Sequence, residues 1–144
     1  MTKENFPQEF LRGLSSKDFI KNGIVVAAAF QFDSAQRSDN MNEASINWLD
    51  DDGAIETALT QRKDNGKIQF SAGVARLDLT RLKGVFQCIP SGIFEYERAP
   101  LPKNPYHGNL LISSDADKQT KQLITNGLAL VAGNNIIQPK EQIE

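Results

Sequence analysis

Residues 68–112 read IQFSAGVARLDLTRLKGVFQCIPSGIFEYERAPLPKNPYHGNLLI, and the fold class turns on them. Ile68, Phe70, Ala72 and Val74 alternate with Gln69, Ser71 and Gly73, the period of a half-buried strand. Leu77, Leu79 and Leu82 fit a brief helical turn. Val85 to Ile89 reads as a second strand, stopped by Pro90-Ser91-Gly92. Ile93 to Glu97 alternates again, with Phe94 and Tyr96 on one face, so the turn between them predicts a hairpin. Asn109-Leu110-Leu111-Ile112 is the last strand. Strands that follow one another without regular helical crossovers predict an α+β domain. Its sheet is mainly antiparallel, with helices packed on one face.

Outward from this stretch, helices flank it. Asp50-Asp51-Asp52-Gly53 opens one, with Ile55, Ala58 and Leu59 as its apolar stripe and Gly66 past its end. Ser114 caps the longest, supported by Asp117. Leu123, Ile124, Leu128 and Val131 lie on its stripe, and Gly133 closes it. Ala44 to Leu49 forms a short strand through Ser45-Ile46-Asn47-Trp48. Asp33 to Glu43 is polar and reads as an exposed loop. The apolar run from Ile24, continued to Phe32, predicts a strand buried on both faces. Asn22-Gly23 before it is a turn signal. Residues 4–22 read as a short helical start, with Phe10, Leu11 and Leu14 on one face. Residues 1–133 are therefore expected as a single domain, and 134–144 as a polar, frayed tail.

Composition narrows the function classes. The chain has 144 residues, 16 Lys and Arg against 18 Asp and Glu, and a net charge of −2. Arg62-Lys63 is the nearest thing to a basic run, so charge does not indicate a nucleic-acid partner. One Cys, Cys88, and one His, His107, are too few for a structural zinc site or an internal disulfide. The Ile24–Phe30 run falls far short of the roughly 20 residues that span a bilayer, so no membrane partner is expected. Met1–Pro7 has no apolar core behind a basic patch, so no signal peptide is expected either. The expected location is the cytoplasm.

Few residues carry reactive chemistry. Asn104-Pro105-Tyr106-His107 holds the only histidine, at the end of a loop stiffened by Pro100, Pro102 and Pro105. His107 is a candidate general base, with Arg98 to position an anion and Tyr106 beside it. The simpler reading is that it bonds loop backbone and fixes the strand entrance. Trp48 offers a stacking surface or a packing anchor, and Asn47 and Asn104 offer hydrogen bonds to a ligand or partner. Asp50-Asp51-Asp52 carries oxygen ligands of the kind magnesium takes. Adjacent carboxylates seldom converge on one ion, and helix capping accounts for them, so no metal is assigned. Cys88 reads as a small apolar strand residue, with a nucleophile paired to His107 as the alternative. Phosphate loops and nucleophile elbows are absent from the sequence, and no cofactor is assigned.

Ser45-Ile46-Asn47-Trp48, Gly73-Val74-Ala75 and Asn104-Pro105-Tyr106-His107 resemble a set of small bacterial proteins of uncharacterised activity. Those carry Ser-x-Asn-Trp, Gly-Val-Ala and Asn-x-x-His landmarks in the same order. The resemblance spans about residues 24–131. It implies order and landmarks, and it raises His107 and Trp48 as a shared site.

Two functions follow. The first is a non-catalytic accessory module that acts through a partner protein, or pairs with itself as a homodimer. The alternative is a small hydrolase or transferase acting on a nucleotide or nucleic acid, with His107 as general base. That alternative needs Trp48 and His107 to converge in one pocket.

Overall fold

The computed structural model describes residues 6–33 and 39–139. Six strands form one antiparallel sheet: β1 (Glu9–Leu14), β4 (Met41–Trp48), β5 (Gly73–Asp78), β6 (Phe94–Arg98), β7 (His107–Ser113) and β8 (Ile136–Ile137). Their order across the sheet is β6-β7-β4-β1-β5-β8. A two-residue pair, β2 (Ile20–Lys21) and β3 (Ile24–Val25), stands apart as a small hairpin. Its turn is Asn22-Gly23, both at positive φ, 54° and 75°, as a tight two-residue hairpin requires. The helices are α1 (Gly53–Thr60), α2 (Leu79–Val85) and α3 (Lys118–Ala132). The α+β class and the antiparallel sheet are as the sequence predicts.

Period-two alternation divides the sheet into two unlike faces. Phe10, Leu14, Ile46, Trp48, Leu77, Leu110 and Ile112 point to one side and join Leu82, Ile124 and Leu128 from α2 and α3 in the main core. Each such side chain, fully buried, stabilises the fold by about 1.5–3 kcal/mol. Arg12 lies on this side too. Its guanidinium donates to the carbonyls of Ala29 (2.9 Å) and Ser45 (2.7 Å), tying the 27–29 turn to the sheet. Burial lowers its pKa, and the carboxylate of Asp33 partly offsets this. The other face carries Leu11 and Val74 beneath Ala54 and Ala58 of α1. Helices on one face therefore describes α2 and α3, while α1 caps part of the opposite face.

Several elements differ from the sequence reading, each for a physical reason. Residues 9–14 are a strand, not a helix. Phe10 and Leu14 fit a period of two as well as a helical one, and the ladder from Glu9–Asp78 to Leu14–Gly73 decides between them. Leu11 consequently faces away from Phe10. Only Ile24 and Val25 of the expected 24–32 strand pair, because three alanines follow the β-branched run and close into a 3-10 turn at Ala27–Ala29. β4 begins at Met41, inside the expected loop; residues 34–38 of that loop lie outside the described residues, as do residues 4 and 5 of the helical start. The strand expected at 68–74 starts only at Gly73, whose φ is +110°. The brief turn at 77–82 grows into α2, which consumes the start of the expected 85–89 strand. Phe86 then packs against α3 at Gly127, where an added Cβ would meet its ring. Asp117, not Ser114, caps α3, accepting from the Thr120 N–H at 2.7 Å. The expected tail contributes β8: Ile136 and Ile137 pair with Ala75 and Val74. The sheet thus draws on residues past Gly133.

Among the described residues, no helix is long and apolar enough to cross a membrane. Nor do three or more His, Cys, Asp or Glu there gather as metal ligands would.

Candidate functional site: a groove on the open sheet face

The face that α1 only partly covers is the one that collects polar side chains. Ser45 pairs with Asn109 and Asn47 with His107 across β4 and β7. All four have the parity opposite to Ile46, Trp48 and Leu110, so they stand on the α1 side of the sheet. The loop from Ala99 to Tyr106 folds over this end. Leu101 and Asn104 exchange backbone hydrogen bonds at 3.0 Å each, closing a tight turn through Pro102-Lys103. The Ala99 N–H donates to the His107 carbonyl at 2.9 Å, and the Trp48 N–H to the Tyr106 carbonyl at 2.8 Å. The prolines thus supply stiffness, and the backbone bonds supply position.

Between this loop and α1 lies a groove of about 740 Å³. Ser45, Asn47 and His107 line it from the sheet, and Lys103 and Asn104 from the loop. Thr57, Thr60, Gln61 and Arg62 line the opposite wall, with Asp64, Gln69 and Phe70 beyond them. Phe70 lies directly over Gly13, whose missing side chain makes room for the ring. Arg62 also holds its own turn, donating to the Gly66 carbonyl at 2.9 Å.

A hydrogen-bond relay fixes the two central groups. The Tyr106 N–H donates to Asn104 Oδ1 (3.2 Å), which makes the other end of that amide the donor. Asn104 Nδ2 donates to Asn47 Oδ1 at 2.8 Å. Asn47 is 7% exposed, and its Nδ2, pushed to the remaining position, has no hydrogen-bond partner. A buried amide donor left unpaired costs about 1–3 kcal/mol. Beside it, His107 Nδ1 lies 2.8 Å from the Ala99 carbonyl. A carbonyl only accepts, so Nδ1 carries the proton and the lone pair of the neutral ring is on Nε2. Asn109 is oriented from β6: its Nδ2 donates to Glu97 Oε2 at 2.8 Å, and its Oδ1 is unpaired.

The expected site residues separate into two groups. Asn47, Asn104 and His107 come together at the groove. Trp48 does not join them. It is 0% exposed on the other face of the sheet, packed against Phe6, Phe10 and Tyr96, with its indole N–H bonded to the Glu97 carbonyl. Arg98 is on that face too, 5.9 Å from the Trp48 ring and in a two-pronged ion pair with Asp50. Tyr106 points to the start of α1, where its hydroxyl donates to Asp51 Oδ1 at 2.8 Å. That bond raises the phenol pKa. The pocket combining His107, Arg98 and Trp48 is therefore not assembled. Asp50 and Asp51 are engaged as Arg98's ion partner and as the acceptor for Tyr106 and the Gly53 N–H. Cys88 is exposed and lies in no strand.

Sequence reasoning passed over Ser45, Thr57, Gln61, Gln69, Phe70 and Lys103. Ser45 carried a signal, since it shares strand parity with Asn47. The residues after α1 carried none, because only the chain's return from Gln61 to Phe70 brings them to the groove. No protein-family model, no curated protein and no solved structure matches the chain.

Proposed function

We propose that this chain binds a small polar ligand in the groove between α1 and the 99–106 loop, with Asn47, Asn104 and His107 as its polar floor. The observation that carries the reading is the buried, unpartnered Nδ2 of Asn47, held in place by the relay through Asn104. Buried donors are nearly always satisfied, and Asn47 lines the groove, so a ligand that enters it and opens a path to this covered atom would supply the missing acceptor. The Nε2 lone pair of His107 can also take a proton. A hydrolase or transferase with His107 as general base is the catalytic form of the same reading, without Trp48 or Arg98 in the site.

The test is an NMR titration of isotope-labelled protein with nucleotides, sugar phosphates and small amides. The Asn47 side-chain amide and the His107 ring are the reporters, and with one histidine in the chain the ring signal is unambiguous. At least one compound should shift both. Asn47→Leu, of similar volume, should stay folded and lose the response. Silence of both reporters across the panel, or an unchanged response in the variant, would sink the proposal.

A protein partner is the second reading, and one observation favours it. Leu123 and Leu130 stand 51% and 67% exposed, two turns apart on the outer side of α3. An accessory role through another protein, or a homodimer, would use that ridge. On this reading the native chain should self-associate or capture a partner, and Leu130→Glu should abolish it; a native chain that does neither would sink the reading. The lone, exposed Cys88 is compatible with a reducing, cytoplasmic setting.

A further inference from the structure

We infer that the groove reads the edge of a nucleobase, with Asn47 donating to a ring acceptor and His107 Nε2 accepting from the neighbouring N–H. The inference rests on the groove being a ligand site, and it names the class of ligand. Asn47 and His107 are directly opposed across antiparallel strands, so their side chains leave the sheet as neighbours, with Cβ atoms about 4.5–5.5 Å apart. Each has one end tied to the protein, Asn47 Oδ1 by Asn104 and His107 Nδ1 by the Ala99 carbonyl. What each leaves over is therefore fixed: the Nδ2 amine of Asn47, a donor group with two N–H bonds, and beside it one acceptor, the Nε2 lone pair of a neutral His107.

The complement of that pair is an acceptor next to an N–H within one rigid edge. Every common nucleobase offers it: ring N3 or N1 beside an exocyclic amine in cytosine and adenine, a carbonyl beside a ring N–H in uracil and guanine. An ionised carboxylate or a phosphate dianion offers acceptors alone and would leave the lone pair of a neutral His107 ring unmatched. Two further features suit a nucleotide. Phe70, seated over Gly13, gives the groove an aromatic wall for a planar ring. Lys103, at the tip of the 101–104 turn, provides a cation at the rim for a phosphate. A groove of about 740 Å³ has room for a mononucleotide. In this role His107 holds the base and does not transfer a proton, so the nucleotide is recovered intact.

Calorimetric and NMR titrations with the four ribonucleoside monophosphates, ribose 5-phosphate and 3-methyluridine 5′-monophosphate test this. At least one nucleotide should bind, with ribose 5-phosphate at least about tenfold weaker, since it keeps the phosphate and lacks the edge. If uridine monophosphate binds, its 3-methyl form, blocked at the ring N–H, should lose about tenfold or more. Asn47→Leu should weaken the nucleotide about tenfold, the worth of one hydrogen bond. Lys103→Ala should weaken the nucleotide and leave the matching nucleoside unchanged. Should ribose 5-phosphate bind as well as the nucleotides and Asn47→Leu weaken both, the groove remains a ligand site and the edge reading fails. Should neither nucleotides nor any other polar compound reach the two reporters, both readings fail. Conversion of the nucleotide during the titration, abolished by His107→Gln, would also overturn the edge reading in favour of catalysis.

Discussion

Gly108 sits between the groove and the core and belongs to both. His107 before it faces the groove. Gly108 itself faces the core, where an added Cβ would strike the Trp48 indole nitrogen and the Glu97 carbonyl that it bonds. Gly108→Ala should therefore cost about 3 kcal/mol, from overpacking and a broken buried hydrogen bond, read as a lowered urea midpoint. A loss under half that size would mean the indole moves aside. Tyr106 gives a test by titration. Its pKa is raised, chiefly by donating to Asp51, so the neutral phenol is favoured in the fold. The stability this confers is present below the unfolded value of about 10 and is lost as pH rises through the folded one. Only two tyrosines are present, so Tyr96→Phe leaves phenolate absorbance to report Tyr106 alone. Its ionisation should come at lower pH once Asp51→Ala is added. An unmoved midpoint would remove Asp51 as the cause.

At the scale of elements, α2 depends on the residue just before it, the last of β5. Asp78 Oδ1 accepts from the Thr80 and Arg81 N–H groups and from Gln8 Nε2. Asp78→Ala should cost about 1 kcal/mol in thermal unfolding, and Asp78→Asn should retain most of that. Equal losses in the two would point to the charge instead of the cap. The same region shows why some elements were readable and others not. β6 carries clear alternation and α3 a clear apolar stripe closed by Gly133, and the structure has both, with β7, near their expected bounds, although α3 is capped by Asp117 and not by Ser114. β1 was ambiguous, because Phe10 and Leu14 satisfy either period. The 85–89 segment was misread because Phe86 is held by Gly127, forty-one residues on, a contact no local pattern encodes.

For the whole molecule, the two-faced sheet decides which candidate residues meet. Asn47 and Trp48 are adjacent in sequence and end on opposite sides, one at the groove and one in the core. Ser45-Ile46-Asn47-Trp48 therefore interleaves residues of the two faces, and reading it as one landmark merges them. His107 and Asn104 were legible because the proline-stiffened loop and the only histidine coincide. Their partnership with Asn47 was not, since it depends on the β4–β7 register. The α1-side wall was equally hidden, because it is assembled by a turn that returns Gln69 to hydrogen-bond Gln61.

β8 is two residues long, and it shields what lies next to it. Ile136 and Ile137 cover Val74 and Ala75, Arg76 N–H reaches the Asn135 carbonyl, and glycine at position 73 lets the Ile137 carbonyl come close. Cutting the chain after Gly133, where composition alone would end the domain, strips that cover. β5 would then present a row of vacant backbone donors and acceptors, a template for pairing with another molecule. A chain ending at 133 should precipitate or form sheet-rich oligomers under conditions that leave the full chain dispersed, as light scattering would record. A dispersed truncated chain would mean that another segment guards the edge.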